Sequence, residues 1–407
     1  MNNKISNISK SFFIIKINLV ILFILFIISS EIKYYHRYKR IIIKNIKEKE
    51  NYTNKIEALK NGRKFLNTLL KDNYINKKFK IFKHPKISII IPLYNSEKFI
   101  KLVIKSIQNQ NFRDLEILLI NDFSSDNTLK IIEKIKEEDL RIIIIKNKKN
   151  MGILYSRSIG VLQSKGEYII NLDHDDLFFD EDVLDTSYKI AKKDNFDIIS
   201  FMFIEGKSYY SPINKMKDNY CTNHFHNLTI FQPELSYYPL FKNEQFLYHD
   251  YVIWGKLFKN NIYTKAINLL GKERYSSYNI YNEDLIGIFV VFKIARSFKY
   301  IRKYGIFHLI HKTSASNTAD LEHRIYNDIF FTEIIYDLSK KENKKYAALF
   351  AKDRFKNIRK FSQKNFIFLR KILNQILYSQ YIEEKYKQPI KKNYHELLYF
   401  NNYKINN

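Results

Sequence analysis

The chain has 407 residues, with 69 Lys and Arg against 42 Asp and Glu, and a formal net charge of +27. Its single cysteine, Cys221, excludes an intrachain disulfide framework and a cysteine-based zinc site. The basic balance would suggest anionic partners, but the 31 Tyr, 32 Phe and abundant Lys, Ile and Asn are residues of A/T-rich codons; no nucleic-acid module is visible and no nucleic-acid partner is expected.

In chain order, Ser11 to Ser30 (SFFIIKINLVILFILFIISS) is an apolar segment long enough to cross a bilayer, which needs roughly 20 such residues. It predicts a single-pass N-terminal anchor over residues 1–30, and so a membrane localisation, in the Golgi or endoplasmic reticulum if the source is eukaryotic. A cleaved signal peptide is the competing reading, with Ser29 and Ser30 near a cut site. Basic residues flank both sides of the segment, which leaves its orientation open. Residues 31–84 are Lys-rich without a strand pattern and read as a basic stem, helical or partly flexible, closed by His84-Pro85.

From 85 the pattern changes. Apolar runs at Ile87–Ile91, Leu115–Ile120, Ile142–Ile145, Tyr168–Leu172 and Phe196–Phe203 alternate with amphipathic stretches at 97–110 and 126–138. Near-continuous apolar strands alternating with helices predict βαβ units and a sheet covered on both faces. Residues 205–250 lose this pattern. Order returns at Trp254-Gly255-Lys256-Leu257-Phe258 and after Glu283-Asp284, and 319–407 read as a basic helical extension.

In a parallel sheet the segments that follow the strands share one rim, and open α/β sheets bind ligands there. Pro92-Leu93-Tyr94-Asn95-Ser96-Glu97 follows the first strand and Asn121-Asp122-Phe123-Ser124 the second. Asn150-Met151-Gly152 opens a helix carrying Arg157, and Asp173-His174-Asp175-Asp176 ends the fourth strand. Three carboxylates within four residues repel one another unless a cation relieves them. The inventory of acceptors, a cation and paired carboxylates suits a nucleoside diphosphate held with Mn²⁺ or Mg²⁺. Neither a P-loop nor a Gly-x-Gly-x-x-Gly fingerprint is present.

The stretch KISIIIPLYNSEKFIKLVIKSIQNQNFRDLEILLINDFSSDNT, followed by NMGILYSRSIG and GEYIINLDHDD, resembles the inverting family 2 glycosyltransferases of the GT-A fold. The resemblance is strong over 86–203 and weaker to about 316. It implies an α/β GT-A fold, a mostly parallel sheet flanked by helices, with a catalytic domain at 85–318 made of a nucleotide-sugar half (85–203) and an acceptor half (204–318). It further implies metal-assisted transfer from a UDP-sugar to a hydroxyl of a carbohydrate, lipid or glycoprotein acceptor. Pro92, Tyr94 and Glu97 match the first nucleotide loop, Asp122 the residue that receives the base, and Arg157 a basic group beside the pyrophosphate. Asp173 matches the ribose side of the Asp-x-Asp pair and Asp175 the metal ligand, with His311 a minor metal candidate. Asp284 matches the catalytic base; Trp254, Lys256 and Glu283 are acceptor-side candidates. Phe123 departs from the family, which has a small residue there.

Blander readings compete. Asp122 could form a turn, Asp175 and Asp176 could open a helix, and Trp254 and Lys256 could simply pack the domain. His308, like His311, could supply a metal or phosphate contact, but a lone histidine is more often structural. An inactive glycosyltransferase-like scaffold and a nucleotidyltransferase are the alternative functions.

Overall fold

A computed structural model describes residues 55–71, 79–212, 215–218, 229–231, 241–242, 245–246, 252–276 and 283–311, with the single positions 334 and 338. The chain divides into two units, Met1–Tyr52 and Thr53–Asn407, and all described residues lie in the second. The expected anchor, the stem up to residue 54 and, apart from those two positions, the C-terminal extension lie outside the described residues. Among the described residues no helix is long and apolar enough to cross a membrane.

The second unit begins with α1 (Lys55–Leu70), β1 (Ile87–Leu93), α2 (Ile100–Gln108), β2 (Leu115–Asn121), α3 (Thr128–Glu138), β3 (Ile142–Lys146), α4 (Ile153–Gln163) and β4 (Tyr168–Asn171). β5 (Leu177–Phe178), α5 (Val183–Asp194) and β6 (Ile198–Gly206) follow. Four short strands come next, β7 (Lys217–Asp218), β8 (Thr229–Phe231), β9 (Phe241–Lys242) and β10 (Gln245–Phe246). β11 (Lys256–Lys259), α6 (Asn260–Leu270), α7 (Lys272–Tyr275), α8 (Glu283–Ile294) and β12 (Ser297–Leu309) complete the described elements.

The main sheet has the order β3-β2-β1-β4-β11-β6-β12-β5. β1 to β4 are mutually parallel, as the alternation predicts, and β1 and β2 are buried along their whole lengths because helices cover both faces. Each fully buried Ile of these strands contributes about 1.5–3 kcal/mol. Beyond β4 the sheet is mixed. β11 enters antiparallel between β4 and β6, so the run at 196–203 does not extend the parallel set directly as the sequence suggested. β12 then pairs parallel with β6 and antiparallel with β5 and β8.

The amino ends of the strands are pinned by a buried polar knot. Glu116 of β2 accepts from the Ser88 hydroxyl at 2.6 Å and from the Lys165 N–H at 2.6 Å, while Gly166 N donates to Ser88 Oγ at 2.8 Å. These bonds satisfy a carboxylate that would otherwise be costly inside the domain, and they seat β4 beside β1. The pinned register delivers the opposite, carboxyl ends to one rim: Leu93 faces Asn121, and Asn121 faces Lys146. β1 runs on through Pro92, beyond its last β4 partner at Ile90, where a missing N–H is tolerated.

α8 is apolar all round and buried from Leu285 to Phe292, which makes it an interior helix rather than a surface one. α1, part of the expected stem, contributes Leu59, Phe65, Leu66 and Leu69 to the same core as the sheet.

Candidate active site at the carboxyl edge of the sheet

The loops after β1 and β2 are joined by hydrogen bonds, several of them accepted by the Glu97 and Asp126 carboxylates. Asn95 N donates to Ser124 Oγ at 3.1 Å, Ser125 N to Asn95 Oδ1 at 2.9 Å, and Ser96 N to Thr128 Oγ1 at 2.7 Å. Glu97 accepts from both the backbone and the side chain of Asn127 at 3.0 Å, and Asp126 accepts from Glu97 N at 3.1 Å. Burial raises the Asp126 pKa, but the bonds from Thr128 and Glu97 outweigh it and hold the carboxyl below its ordinary range. Asn95 and Phe123 both adopt the left-handed region, with φ of 49° and 62°. For Asn this is common; for Phe it costs about 1–2 kcal/mol. Phe123 and Tyr94 stand 59% and 48% exposed at this rim, while Pro92 is buried in β1.

Asp122 is buried beneath them and fully engaged. It accepts from Asn147 Nδ2 at 2.7 Å, Met151 N at 2.8 Å and Gly152 N at 2.8 Å. Gly152 has a φ of 87°, which glycine alone adopts readily, and it precedes α4. Asp122 therefore ties β2 to the start of the helix that carries Arg157.

Arg157 is 3% exposed and is gripped by three carboxylates from distant parts of the chain. Nη2 bonds Asp173 at 2.5 Å, and Nη1 bonds Glu283 at 2.5 Å and also Asp284. The latter two lie in the first turn of α8, where carboxylates also complement the helix dipole. Burial lowers the guanidinium pKa, yet the three carboxylates more than offset it and hold it well above its usual value. Burial is also the main cause of the raised Glu283 and Asp284 pKa values. Arg157 pulls both down, Asp173 pushes both back up, Asp284 also pushes up Glu283, and Glu283 ends at about 8. With one cation among three carboxylates, a proton stays within the cluster near neutral pH. Tyr263 of α6 lies buried below, its hydroxyl accepting from Asn171 Nδ2 at 3.1 Å. The resemblance sets Arg157 beside a pyrophosphate; in this structure its guanidinium engages the three carboxylates.

After β4, Asp175 and Asp176 turn to β12 and the residues just beyond it. His311 Nε2 lies 2.7 Å from Asp175 Oδ2. His308 Nδ1 lies 2.9 Å from Asp176 Oδ1, which also accepts from Leu309 N at 3.1 Å. Burial lowers the His308 pKa, but the opposing Asp176 wins and pushes it up to about 9. Asp175 and His311 could hold a divalent cation. A carboxylate oxygen with an imidazole nitrogen suits Mn²⁺, and Mg²⁺ or Mn²⁺ at nucleotide sites takes its remaining ligands from phosphate and water. No set of three metal-ligating side chains converges among the described residues, so the protein would supply only part of the coordination shell.

The fold brings together Asp173, Asp175, Arg157, Glu283, Asp284 and His311, and sets Tyr94, Glu97 and Asp122 along the neighbouring loops. It packs Trp254 and Lys256 inward. Trp254 stacks on His308 with ring centroids 4.9 Å apart and meets Phe203 edge-on, and Lys256 Nζ donates to Val252 O at 2.8 Å from a position 1% exposed. For these two residues the packing alternative describes the geometry. The sequence reading passed over Asn147, Tyr209 and Tyr263. Each is an isolated polar or aromatic residue in a chain crowded with its kind, and no local pattern marks it.

Residues 88–264 match glycosyl transferase family 2. The chain is 29% identical over 205 residues to glycosyltransferase GlyA of Streptococcus pneumoniae, covering 48% of this chain and 28% of that protein. It is 30% identical over 248 residues to the cholesterol galactosyltransferase of Borreliella burgdorferi, covering 59% of this chain and 64% of the relative. It therefore spans less than two thirds of either relative. Among solved structures, S. aureus TarS 1–349 in complex with UDP-GlcNAc is similar in fold, with a TM-score of 0.50 at 18% identity over 74% of this chain and 82% of that one. A matched sequence segment and an α/β sheet with this rim agree: residues 88–264 match glycosyl transferase family 2 and lie on a GT-A-like fold.

Proposed function

We propose that the protein is a glycosyltransferase that moves a sugar from a UDP-sugar to an acceptor hydroxyl with inversion at the anomeric carbon. The observation that carries this reading is the Arg157 cluster: a buried guanidinium holding Asp173 of the donor rim and Asp284 of α8 in one constellation. The TarS neighbour binds UDP-GlcNAc, which supports a UDP-sugar donor here.

In this reading Tyr94 and the β1–β2 loops receive the base, with Asp122 fixing the loop beneath it. Asp173 faces the ribose. Asp175 and His311 would hold the divalent cation, which neutralises charge developing on the departing diphosphate. Asp284 removes the proton from the acceptor hydroxyl while that oxygen attacks the anomeric carbon from the face opposite the leaving UDP. Arg157 fixes the direction of the Asp284 carboxylate, and the water-poor position of Glu283 and Asp284 raises the basicity of the cluster toward neutral pH. Attachment through residues 11–30 would place the acceptor at a membrane. That arrangement suits a lipid or membrane-borne glycan, and one relative is named for a sterol acceptor.

The test is release of UDP from a panel of UDP-sugars, with and without Mn²⁺, by wild type and Asp284→Asn. The expected result is metal-dependent UDP release in the wild type and loss of transfer with retained UDP binding in the variant. Turnover of nucleoside triphosphates instead would favour a nucleotidyltransferase, and no turnover with intact UDP binding would favour an inactive scaffold.

A further inference from the structure

One side chain of α1 reaches the loop system around the cluster. Arg63 donates from Nη1 to the carbonyl oxygen of Tyr209 at 2.6 Å and from Nη2 to that of Ser211, and the Met216 sulfur lies 3.9 Å from Nη2. The turn it grips closes on itself, with Ser211 N donating to Ser208 O at 2.9 Å and Ser208 N to Ser211 Oγ at 3.1 Å. From this turn the Tyr209 hydroxyl donates at 2.6 Å to the backbone carbonyl of Asp175. A planar guanidinium that bonds two carbonyls of one turn fixes that turn's shape and orientation, which a point-charge ammonium does less well.

The surrounding packing leaves little room for slack. A Cβ on Gly62, beside Arg63, would come within 2.0 Å of the Phe179 ring, so α1 lies directly against the residue after β5. Phe179 stacks on Phe307 at 6.2 Å between centroids, and Phe307 meets the Tyr209 ring at 5.9 Å. α1, β12 and Tyr209 thus form one apolar block behind the 173–176 turn. The same turn is held from its other side by Asp176, through His308 and Leu309 N. Its anchors are therefore the Asp173 carboxylate on Arg157, the Asp176 carboxylate and the Tyr209 hydroxyl, and the last depends on Arg63.

We propose that Arg63 is a positioning residue of the donor site: through the 208–211 turn it keeps Tyr209 bonded to the Asp175 carbonyl and so keeps the Asp175 carboxylate aimed at His311. The functional part of this inference rests on reading Asp175 as the cation ligand; the mechanical part does not. It makes α1, a helix of the sequence-defined stem, part of the working catalytic unit.

Hydrogen exchange and Mn²⁺ titration test it on Arg63→Ala, Arg63→Lys and Tyr209→Phe in the full chain. Peptides covering 172–178 should exchange faster in Arg63→Ala and Tyr209→Phe than in the wild type, with β1 peptides (87–93) unchanged. Trp254, the single tryptophan, stacks on His308 beside the turn, so its quenching by Mn²⁺ reads cation binding without turnover. The Mn²⁺ midpoint should rise about fivefold or more in both variants, the loss expected for a hydrogen bond of about 1 kcal/mol, and Arg63→Lys should recover part of it. Unchanged exchange at 172–178, or an unchanged Mn²⁺ midpoint in variants of a Mn²⁺-binding wild type, overturns the proposal. If Arg63→Ala fails to fold, Tyr209→Phe alone decides by the same two readings. A wild type that shows no Mn²⁺ quenching removes the cation reading of Asp175, while the exchange comparison still decides whether Arg63 holds the turn.

Discussion

Two stretches of the same rim are built in contrasting ways. The loops after β1 and β2 are zipped by hydrogen bonds among Asn95, Ser96, Glu97, Ser124, Asp126 and Asn127, residues about 30 apart on adjacent strands. The stretch around β4, α8 and β12 is held by charge, with Arg157 joined to carboxylates up to 127 positions away and two histidines set on Asp175 and Asp176. The first stretch is a preformed cradle whose two loops are tied to each other locally. The second concentrates uncompensated negative charge in a buried place, and such charge is useful where protons and cations must be handled.

The largest effect that would break this contrast is Arg157→Ala. Removing the cation leaves three neighbouring carboxylates without their partner, and the expected cost is about 3–5 kcal/mol of stability together with loss of activity. A denaturant melt showing wild-type stability would mean that the cluster is not held by charge. Asp284→Asn keeps the shape and removes the base, and kcat for transfer should fall about 10²–10⁴-fold with UDP affinity retained. On the hydrogen-bonded side of the rim, Asp122→Ala deletes the acceptor of three hydrogen bonds and leaves Met151 and Gly152 N–H groups without it. It should cost about 1–3 kcal/mol in melting experiments and raise the donor KM more than it lowers kcat.

The pH profile sharpens the comparison further. Glu283 is raised from 4.5 to about 8 in the fold, so its contribution to stability is complete below 4.5 and is lost as pH rises through about 8. If Asp284 is the base, transfer should rise with pH over the same range, because the cluster must shed its proton. Glu283→Gln removes a like charge beside Asp284 and should move the rising limb of kcat toward acid. A limb that stays in place would separate Asp284 from the proton being titrated. The smallest expected effect lies at Phe123. Phe123→Gly relieves a left-handed backbone and should raise stability by about 1 kcal/mol, measured as a higher Tm. A fall in Tm would show that the ring makes packing contacts worth more than the strain.

Much of the first stretch was legible because its signals are local. Five apolar runs gave β1, β2, β3, β4 and β6 close to their observed limits, and the segments after them gave the rim. Asp122, Asp173 and Asp175 stood out because acidic residues at the ends of apolar runs are chemically conspicuous. The mixed half of the sheet was not legible. Nothing in Lys256–Lys259 says that this strand inserts between β4 and β6, since strand order depends on which faces remain to be covered once the parallel half has formed. Lys256 and Trp254 look like site residues in the chain and are packed inside in the fold.

By itself, then, the sequence determined the βαβ half, the rim at the carboxyl ends of its strands and the acidic residues that gather there, because periodicity and clustering act over short spans. Only the tertiary structure decided that Arg157 serves three carboxylates, that Asp176 and Asp175 each face a histidine beside β12, and that Arg63 of α1 reaches the same turn. Those partners lie from 16 to more than a hundred residues apart, and pairing of that kind is settled by which surfaces the folded core brings within a few ångströms.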